Sequence, residues 1–273
     1  MGFQELTDEQ WAFIAPLLPP RAKTGRPRVD DRKVLNGILY VLVTGCRWCD
    51  MPRQYGAYQT AWRRFRELQE KGVWQKILPA LLDWGYTLEK VKVEAVAIDS
   101  TRVEAKKGGR GRNRWHKKRK GTKVHVLVNE DGLPLSVVVG PGNEDDGRRR
   151  LEEVLGSLWV KRRGRGRGRA RTRPKGVDAD AAYDAKVIRE GLRRRGIRAG
   201  IPRNPRRGKG TRGGKRAFRR RKADRKARSR VERFFGWRKG EFRRLIVRHD
   251  RRLATFLAFV LLAGFLIAWR ILR

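Results

Sequence analysis

The first third of the chain has hydrophobic residues at every third or fourth position, the spacing of helices with one apolar face. Thr7 and Gln10 also have the capping-box spacing that marks a helix start. Together these patterns predict four helices: from Thr7 to Pro19, from Asp30 or Asp31 to Gly45, from Gln59 to Glu70, and from Val73 to Trp84. Residues 1–88 are therefore predicted to be helical.

From residue 91 the hydrophobic period changes to two, the alternation of β-strands. The first strand runs into Asp99, and two more are predicted over 123–128 and 135–139, joined by a turn at Asp131-Gly132. Helices at 148–159 and 184–195 then alternate with strands at 176–181 and 197–201. Residues 91–273 are predicted to form an α/β domain with a mixed five-stranded sheet and flanking helices.

Three stretches rich in Lys, Arg and Gly match no packed element. They are residues 106–120, 161–175 and 202–222. We expect them to be basic loops that stay mobile until phosphate groups neutralise them.

An uncharged apolar run extends from Leu253 to Trp269 between Arg252 and Arg270. It is slightly shorter than the ~20 residues that a membrane-spanning helix usually needs. On this length we expect a buried helix packed on the sheet, with a membrane segment as the alternative.

The chain is strongly basic: 69 Lys and Arg residues against 28 Asp and Glu give a formal net charge of +41. Such a charge favours salt-sensitive binding to a polyanion, so nucleic acid is the expected partner. An anionic membrane surface and a role as a ribosome-associated protein are alternatives that composition alone does not separate. Asp8, Glu9 and Pro16 interrupt the first segment, which argues against a signal peptide and predicts a cytoplasmic location.

Three acids stand out against this basic background: Asp99, Asp180 and Glu232. Asp99 and Asp180 fall on two predicted strands whose carboxylates would repel each other without a cation between them. Mg²⁺ is a hard ion that prefers oxygen ligands, and it assists chemistry on phosphates. Asp178 is a rival to Asp180 because it lies two residues away, on the same face of a strand.

Glu232 shares one face of a predicted helix with Arg228, Phe235 and Lys239, at spacings of four, seven and eleven residues from Arg228. In one interpretation the acid binds a metal ion while the two bases hold the flanking phosphates. The alternative is an exposed helix stabilised by salt bridges, which these spacings also satisfy.

A third basic group, Arg63, Arg64 and Arg66, follows a predicted turn over residues 51–57. It could lie on the recognition helix of a helix-turn-helix motif. A helical bundle with a solvated basic face fits equally well. His125 is interpreted as a strand residue facing the sheet surface, and with three His in the chain a histidine metal site is not expected.

Four blocks carry a resemblance to a known family. They are Ala-Ile-Asp-Ser-Thr (97–101), Gly-Thr-Lys-Val-His (121–125), Asp-Ala-Asp-Ala-Ala-Tyr-Asp (178–184) and Val-Glu-Arg-Phe-Phe-Gly-Trp-Arg-Lys (231–239). Together they resemble the DDE transposases of bacterial insertion sequences, specifically the insertion-sequence-five group. Leu-Thr-Asp-Glu-Gln-Trp (6–11) is similar to the leading domain of that group.

The resemblance implies an RNase H-like, retroviral-integrase-like core preceded by a helical DNA-binding domain. It implies that Asp99, Asp180 and Glu232 are the catalytic triad and hold two Mg²⁺ ions, for which Mn²⁺ would substitute. Arg228 and Lys239 would be the basic partners of the glutamate, and Lys123, in the second block, is a further candidate DNA contact.

The implied activity is binding to terminal inverted repeats, cleavage at the element ends and transfer of the 3′-hydroxyl strand to target DNA. The partners would be double-stranded DNA and at least one more copy of the chain, in the nucleoid of a prokaryote. Two other functions stay open: a structure-specific nuclease that cuts without joining, and an inactive DNA-binding derivative.

Overall fold

The computed structural model describes residues 2–20, 24, 28–106, 120–143, 148–161, 170–204 and 222–273, without the side chains of residues 148, 222–228, 230, 238 and 239. Its helices are α1 (Asp8–Ile14), α2 (Asp31–Thr44), α3 (Tyr58–Glu70), α4 (Val73–Thr87), α5 (Arg148–Gly156), α6 (Lys186–Arg194), α7 (Lys222–Glu241) and α8 (Leu253–Leu272). Its strands are β1 (Ala95–Ala105), β2 (Gly121–Val128), β3 (Pro134–Pro141), β4 (Gly176–Asp178), β5 (Arg198–Gly200) and β6 (Val247–Arg248).

The helical region begins and ends its elements where the sequence indicates. Thr7 and Gln10 form both hydrogen bonds of the capping box. A carboxylate oxygen of Asp30 accepts the Lys33 N–H at 2.9 Å and so caps α2. The same helix ends at Gly45, whose φ of 71° lies in the left-handed region that glycine adopts without strain.

The sheet is mixed, as predicted, with the strand order β3-β2-β1-β4-β5. Strands β1, β2 and β3 pair antiparallel, whereas β4 and β5 add in parallel on the other side of β1. The prediction of five strands was wrong by one, because β6 pairs with β1 at Glu104 and Ala105. A two-residue strand has no hydrophobic pattern of its own, so its pairing depends on distant contacts.

Helix α8 is buried, as the sequence predicts, and it packs on α3, α4 and β3. The Phe259 ring stacks on Phe65 of α3 with ring centroids 4.4 Å apart, and Trp269 stacks on Trp84 of α4 at 5.9 Å. The helix is long and apolar enough to cross a membrane by length and composition, but 72% of its apolar window is buried inside the protein. It therefore joins the helical region and the sheet in one hydrophobic core.

Candidate active site

Asp99 and Asp180 lie on neighbouring parallel segments in the middle of the sheet. Ala97 of β1 is the register partner of Asp178, the last residue of β4, and continuing this alignment by two residues would set Asp99 level with Asp180. Neighbouring strands are about 4.8 Å apart, and residues level with each other point to the same face. The two predicted ligands thus follow paired residues of neighbouring strands, and both are half-buried.

Backbone N–H groups orient both carboxylates. Asp99 Oδ1 accepts the N–H of Ser100 at 2.7 Å. Asp180 caps a short 3₁₀ turn, Ala181–Tyr183, and its Oδ1 accepts the N–H of Ala182 at 2.8 Å. Strand β4 ends at Asp178, three residues earlier than the sequence indicates, and Asp180 lies two residues beyond its carboxyl end.

Asp178, the rival ligand, also lies on the face that carries Asp99 and Asp180. It is level with Ala97 on one side and Gly200 of β5 on the other. A Cβ atom at position 200 would overlap Asp178 Oδ1, so the carboxylate fills the space above this glycine. Asp178 thus leans toward β5, away from the strand that carries Asp99.

Glu232 lies on α7, which contacts β1, β2 and β4. Val231 and Phe234 of this helix are buried, whereas Glu232 is exposed at its edge. The helix that carries the glutamate thus packs on β1, which carries Asp99, and on β4, which precedes Asp180. In the described part of the chain, however, no three His, Cys, Asp or Glu side chains lie close enough together to hold a metal ion. The triad therefore stays a prediction.

Asp184, four residues after Asp180, makes contacts that the sequence did not predict. One of its carboxylate oxygens accepts Arg189 Nε at 2.8 Å, and the other accepts the Asn204 N–H at 2.6 Å. Arg189 also donates to the Ile201 carbonyl at 2.7 Å. Burial raises the pKa of Asp184, but the hydrogen bonds from Asn204 and Arg189 outweigh it and hold the pKa below its ordinary value. This clamp ties the chain just after Asp180 to the end of β5.

For the two bases predicted to accompany Glu232, the structure describes the backbone and not the side chains. Arg228 and Lys239 belong to α7 by their backbone, but their side chains lie outside the described residues. Phe235, on the same predicted face, is buried. Most of the three predicted basic loops, residues 107–119, 162–169 and 205–221, lies outside the described residues as well.

Lys123, a candidate DNA contact, lies on β2, the strand that pairs with β1. It is level with Arg102 of β1, three residues from Asp99, and side chains alternate between faces, so Lys123 lies on the opposite face of the sheet. His125 lies on that opposite face too and is fully buried, not at the sheet surface. Helix α5 covers this face, where its Arg150 fills the space beside Gly140. The proposed contact of Lys123 with DNA stays a prediction.

The three arginines of α3 have different environments. Arg63 is exposed, Arg66 bonds a carboxylate oxygen of Glu70 at 3.0 Å, and Arg64 is buried. Arg64 Nη1 donates to Asp31 Oδ1 at 2.8 Å, which ties α3 to the first turn of α2. The prediction that Arg64 contacts DNA is thus replaced by a structural role. The connection between α2 and α3 spans residues 45–57, longer than the three or four residues of a typical helix-turn-helix.

Arg64→Met should therefore lower the free energy of unfolding by about 3 kcal/mol, because the buried Asp31 carboxylate loses the charged hydrogen-bond donor that Arg64 supplies. Denaturant unfolding measures the loss. Arg63→Ala is the matched control on the exposed side of the same helix, and it should leave stability unchanged while weakening DNA binding. A stable Arg64→Met variant that has lost DNA affinity would contradict this assignment.

The sheet has antiparallel β1–β3 with parallel β4 and β5 added beside β1, which is the strand arrangement of an RNase H-like fold. An acid on β1 and another just after β4 suit metal-assisted chemistry on phosphates. Two family models match the chain: "Putative transposase of IS4/5 family" over residues 6–78 and "Transposase DDE domain" over residues 92–268. The chain belongs to the DDE transposase family of insertion sequences.

Individual relatives agree with this assignment. An "Insertion element IS402 uncharacterized 16.2 kDa protein" of Burkholderia cepacia is 40% identical over 107 residues, 37% of this chain and 73% of that protein. The "Putative transposase for insertion sequence element IS402" of the same species is 32% identical over 175 residues, 63% of this chain and 75% of that protein. "Uncharacterized protein y4sN" of Sinorhizobium fredii is 33% identical over 115 residues, 42% of this chain and 87% of that protein.

Proposed function

We propose that this transposase binds the terminal inverted repeats of its own element, cleaves DNA at the element ends and joins the freed 3′-hydroxyl to target DNA. The observation that supports the chemistry best is the parallel pairing of Ala97 with Asp178, because Asp99 and Asp180 each follow this pair by two residues. Two carboxylates on neighbouring strands repel each other unless a cation lies between them. Their all-oxygen character suits Mg²⁺, with Mn²⁺ as a substitute.

In this proposal Asp99, Asp180 and Glu232 hold two metal ions. Bound there, the metal would activate the attacking water or hydroxyl and stabilise the leaving oxygen of the phosphodiester. The carboxylates themselves would supply negative charge, and the N–H groups of Ser100 and Ala182 orient them by hydrogen bonds to Asp99 Oδ1 and Asp180 Oδ1. Arg228 and Lys239 are proposed to hold the flanking phosphates.

The proposed partners are double-stranded DNA and a second copy of the chain. A charge of +41 provides strong, salt-sensitive attraction to DNA phosphates. Transposition requires two element ends to be brought together, so we propose a homodimer or larger assembly on DNA. A DNA-acting protein of this charge would reside with the nucleoid in the cytoplasm.

A strand-transfer assay tests the proposal directly. The wild-type protein is incubated with a labelled duplex carrying the element end and a target plasmid, with Mg²⁺, with Mn²⁺ and with EDTA. Joined product that requires a divalent ion supports the transposase. Cleavage without joining would indicate a nuclease on the same fold, and binding without either reaction would indicate an inactive derivative.

A further inference from the structure

The edge of the sheet at β5 carries a cluster of exposed basic side chains. Strand β5 is the last strand in the sheet order, and the cluster gathers around its first residue. The bases come from three segments of chain: the approach to β4, the end of α6 and the start of β5. The β5 edge patch, as we call it, consists of Arg173, Lys175, Arg193, Arg194, Arg195 and Arg198.

Direct hydrogen bonds hold the three segments of the patch together. Arg173 Nη1 donates to the Arg195 carbonyl at 3.0 Å, which joins the chain before β4 to the end of α6. The Arg198 N–H donates to the Lys175 carbonyl at 2.9 Å, where β5 begins to pair with β4. The six bases therefore form one surface, although Arg173 and Arg195 are 22 residues apart in the chain.

Acidic side chains do not neutralise the patch. Within the part of the chain that the structure describes, none of the six bases forms an ion pair. Three acids lie near its border: Glu94, Glu152 and Glu190, of which Glu190 pairs with Lys186 at 3.9 Å. Six bases against the two remaining acids leave a positive surface. Because the like charges repel each other, a bound anion would stabilise this surface.

The dipole of α6 explains only part of this charge. Arg193 and Arg194 lie in the last turn of the helix, where the carbonyl end of the dipole favours cations. Arg173, Lys175 and Arg198 belong to no helix, so helix stabilisation gives no reason for a base at these positions. An anionic partner accounts for both groups of bases.

Arg198 connects the patch with the face of the sheet that carries the acids. Arg198 is level with Gly176 and Gly200 is level with Asp178, so Arg198 and Asp178 lie on the same face. A Cβ atom at position 176 would lie 3.5 Å from Nε and Nη2 of Arg198, so the guanidinium lies across β4 at this glycine. Asp180 follows Gly176 by four residues, at most about 13 Å of extended chain. That span equals about four base pairs of duplex DNA.

We propose that the β5 edge patch binds the phosphate backbone of duplex DNA beside the phosphate that is cut. Lys and Arg contacts to phosphates fix the position of a duplex without reading its sequence. The regular spacing of phosphates lets several bases of one surface bind the same duplex at once. A second copy of this chain is a poor partner, because equally basic surfaces repel each other. The inference rests on the proposed function for the identity of the polymer and for the place of the cut.

Fluorescence anisotropy in EDTA on a labelled duplex that carries the element end tests the patch. The triple variant Lys175→Gln, Arg193→Gln, Arg198→Gln removes one base from each segment. It should weaken duplex binding by about 10²-fold at low salt, and the slope of log affinity against log salt concentration should fall by about 0.9 for each lost contact. Arg193→Lys with Arg198→Lys keeps both charges and should keep the slope.

A second triple variant removes the same charge from other exposed positions, where each base is paired with a carboxylate. It replaces three arginines by Gln: Arg47, which pairs with Asp50, Arg270, which pairs with Glu241, and Arg273, which pairs with Glu9. Its salt slope should stay close to that of the wild type. Equal losses in the two triple variants would reduce the effect to net charge and overturn the patch, as would an unchanged slope in the first variant.

Methylphosphonate substitution, which removes the charge of one phosphate, tests where the patch lies on the DNA. A neutral phosphate within about four base pairs of the element end should weaken binding of the wild type but not weaken binding of the first triple variant further. An equal effect on both proteins would contradict the proposed location. Because the binding assays contain no divalent ion, a failure of the proposed strand transfer would leave their results intact.

Discussion

Asp99→Asn and Asp180→Asn should each reduce cleavage and strand transfer by about 10³-fold or more while the protein stays folded and bound to DNA. Each substitution removes one of the two carboxylates proposed to hold the metal ions, and metal assistance to phosphoryl transfer is worth several kcal/mol. Glu232→Gln should have the same effect if α7 supplies the third ligand. The measurements are the strand-transfer assay in Mg²⁺ and anisotropy on the element end in EDTA.

Asp178→Asn is the matched control for these variants. Asp178 is two residues from Asp180 and on the same face, but its carboxylate lies over Gly200 and away from β1. Activity of this variant should stay within the same order of magnitude as wild type. If Asp178→Asn lost as much activity as Asp99→Asn while Asp180→Asn stayed active, Asp178 would be the second ligand. Loss of DNA binding in folded Asp99→Asn protein would argue against a metal-binding role.

Local chemistry explains which parts of the fold could be predicted from the sequence. The ends of α2 were predictable because Asp30 and Gly45 each act on their own neighbours, through a side-chain cap and a left-handed residue. The ends of β4 were not, since the strand stops where Asp180 caps the next turn. Strand β6 depends on pairing with β1 across more than a hundred residues, which no periodicity reveals.

The candidate site divides in the same way. The order of strands predicted that Asp99 and Asp180 would lie on neighbouring strands, and β1 and β4 are indeed paired, up to Ala97 and Asp178. Arg64 is basic in a basic segment, and only its contact with Asp31, 33 residues earlier in the chain, distinguishes it from the exposed Arg63. The Asp184 clamp likewise depends on Asn204, 20 residues away. Long-range polar contacts are the part that residue patterns do not contain.

Phe259→Ala should lower the stability of the whole chain by about 3–5 kcal/mol, the usual cost of removing a fully buried aromatic ring. Phe259 of α8 is fully buried and stacks on Phe65 of α3, and the Arg244 guanidinium lies 5.6 Å from its ring centroid. At about 2–4 °C per kcal/mol in proteins of this size, the melting temperature should fall by about 10 °C. Leu257→Ala, at a partly buried position of the same helix, is the control and should cost less.

The shape of the Phe259→Ala melt also tests how the two regions predicted from the sequence are coupled. Residues 1–88 supply α1–α4 and residues 91–273 supply the sheet, yet α8 packs on both α4 and β3. One shared core predicts a single cooperative transition that moves as a whole. Calorimetry and tryptophan fluorescence should then give the same midpoint. Two separated transitions, with only one displaced by the substitution, would show that the helical region folds independently of the sheet.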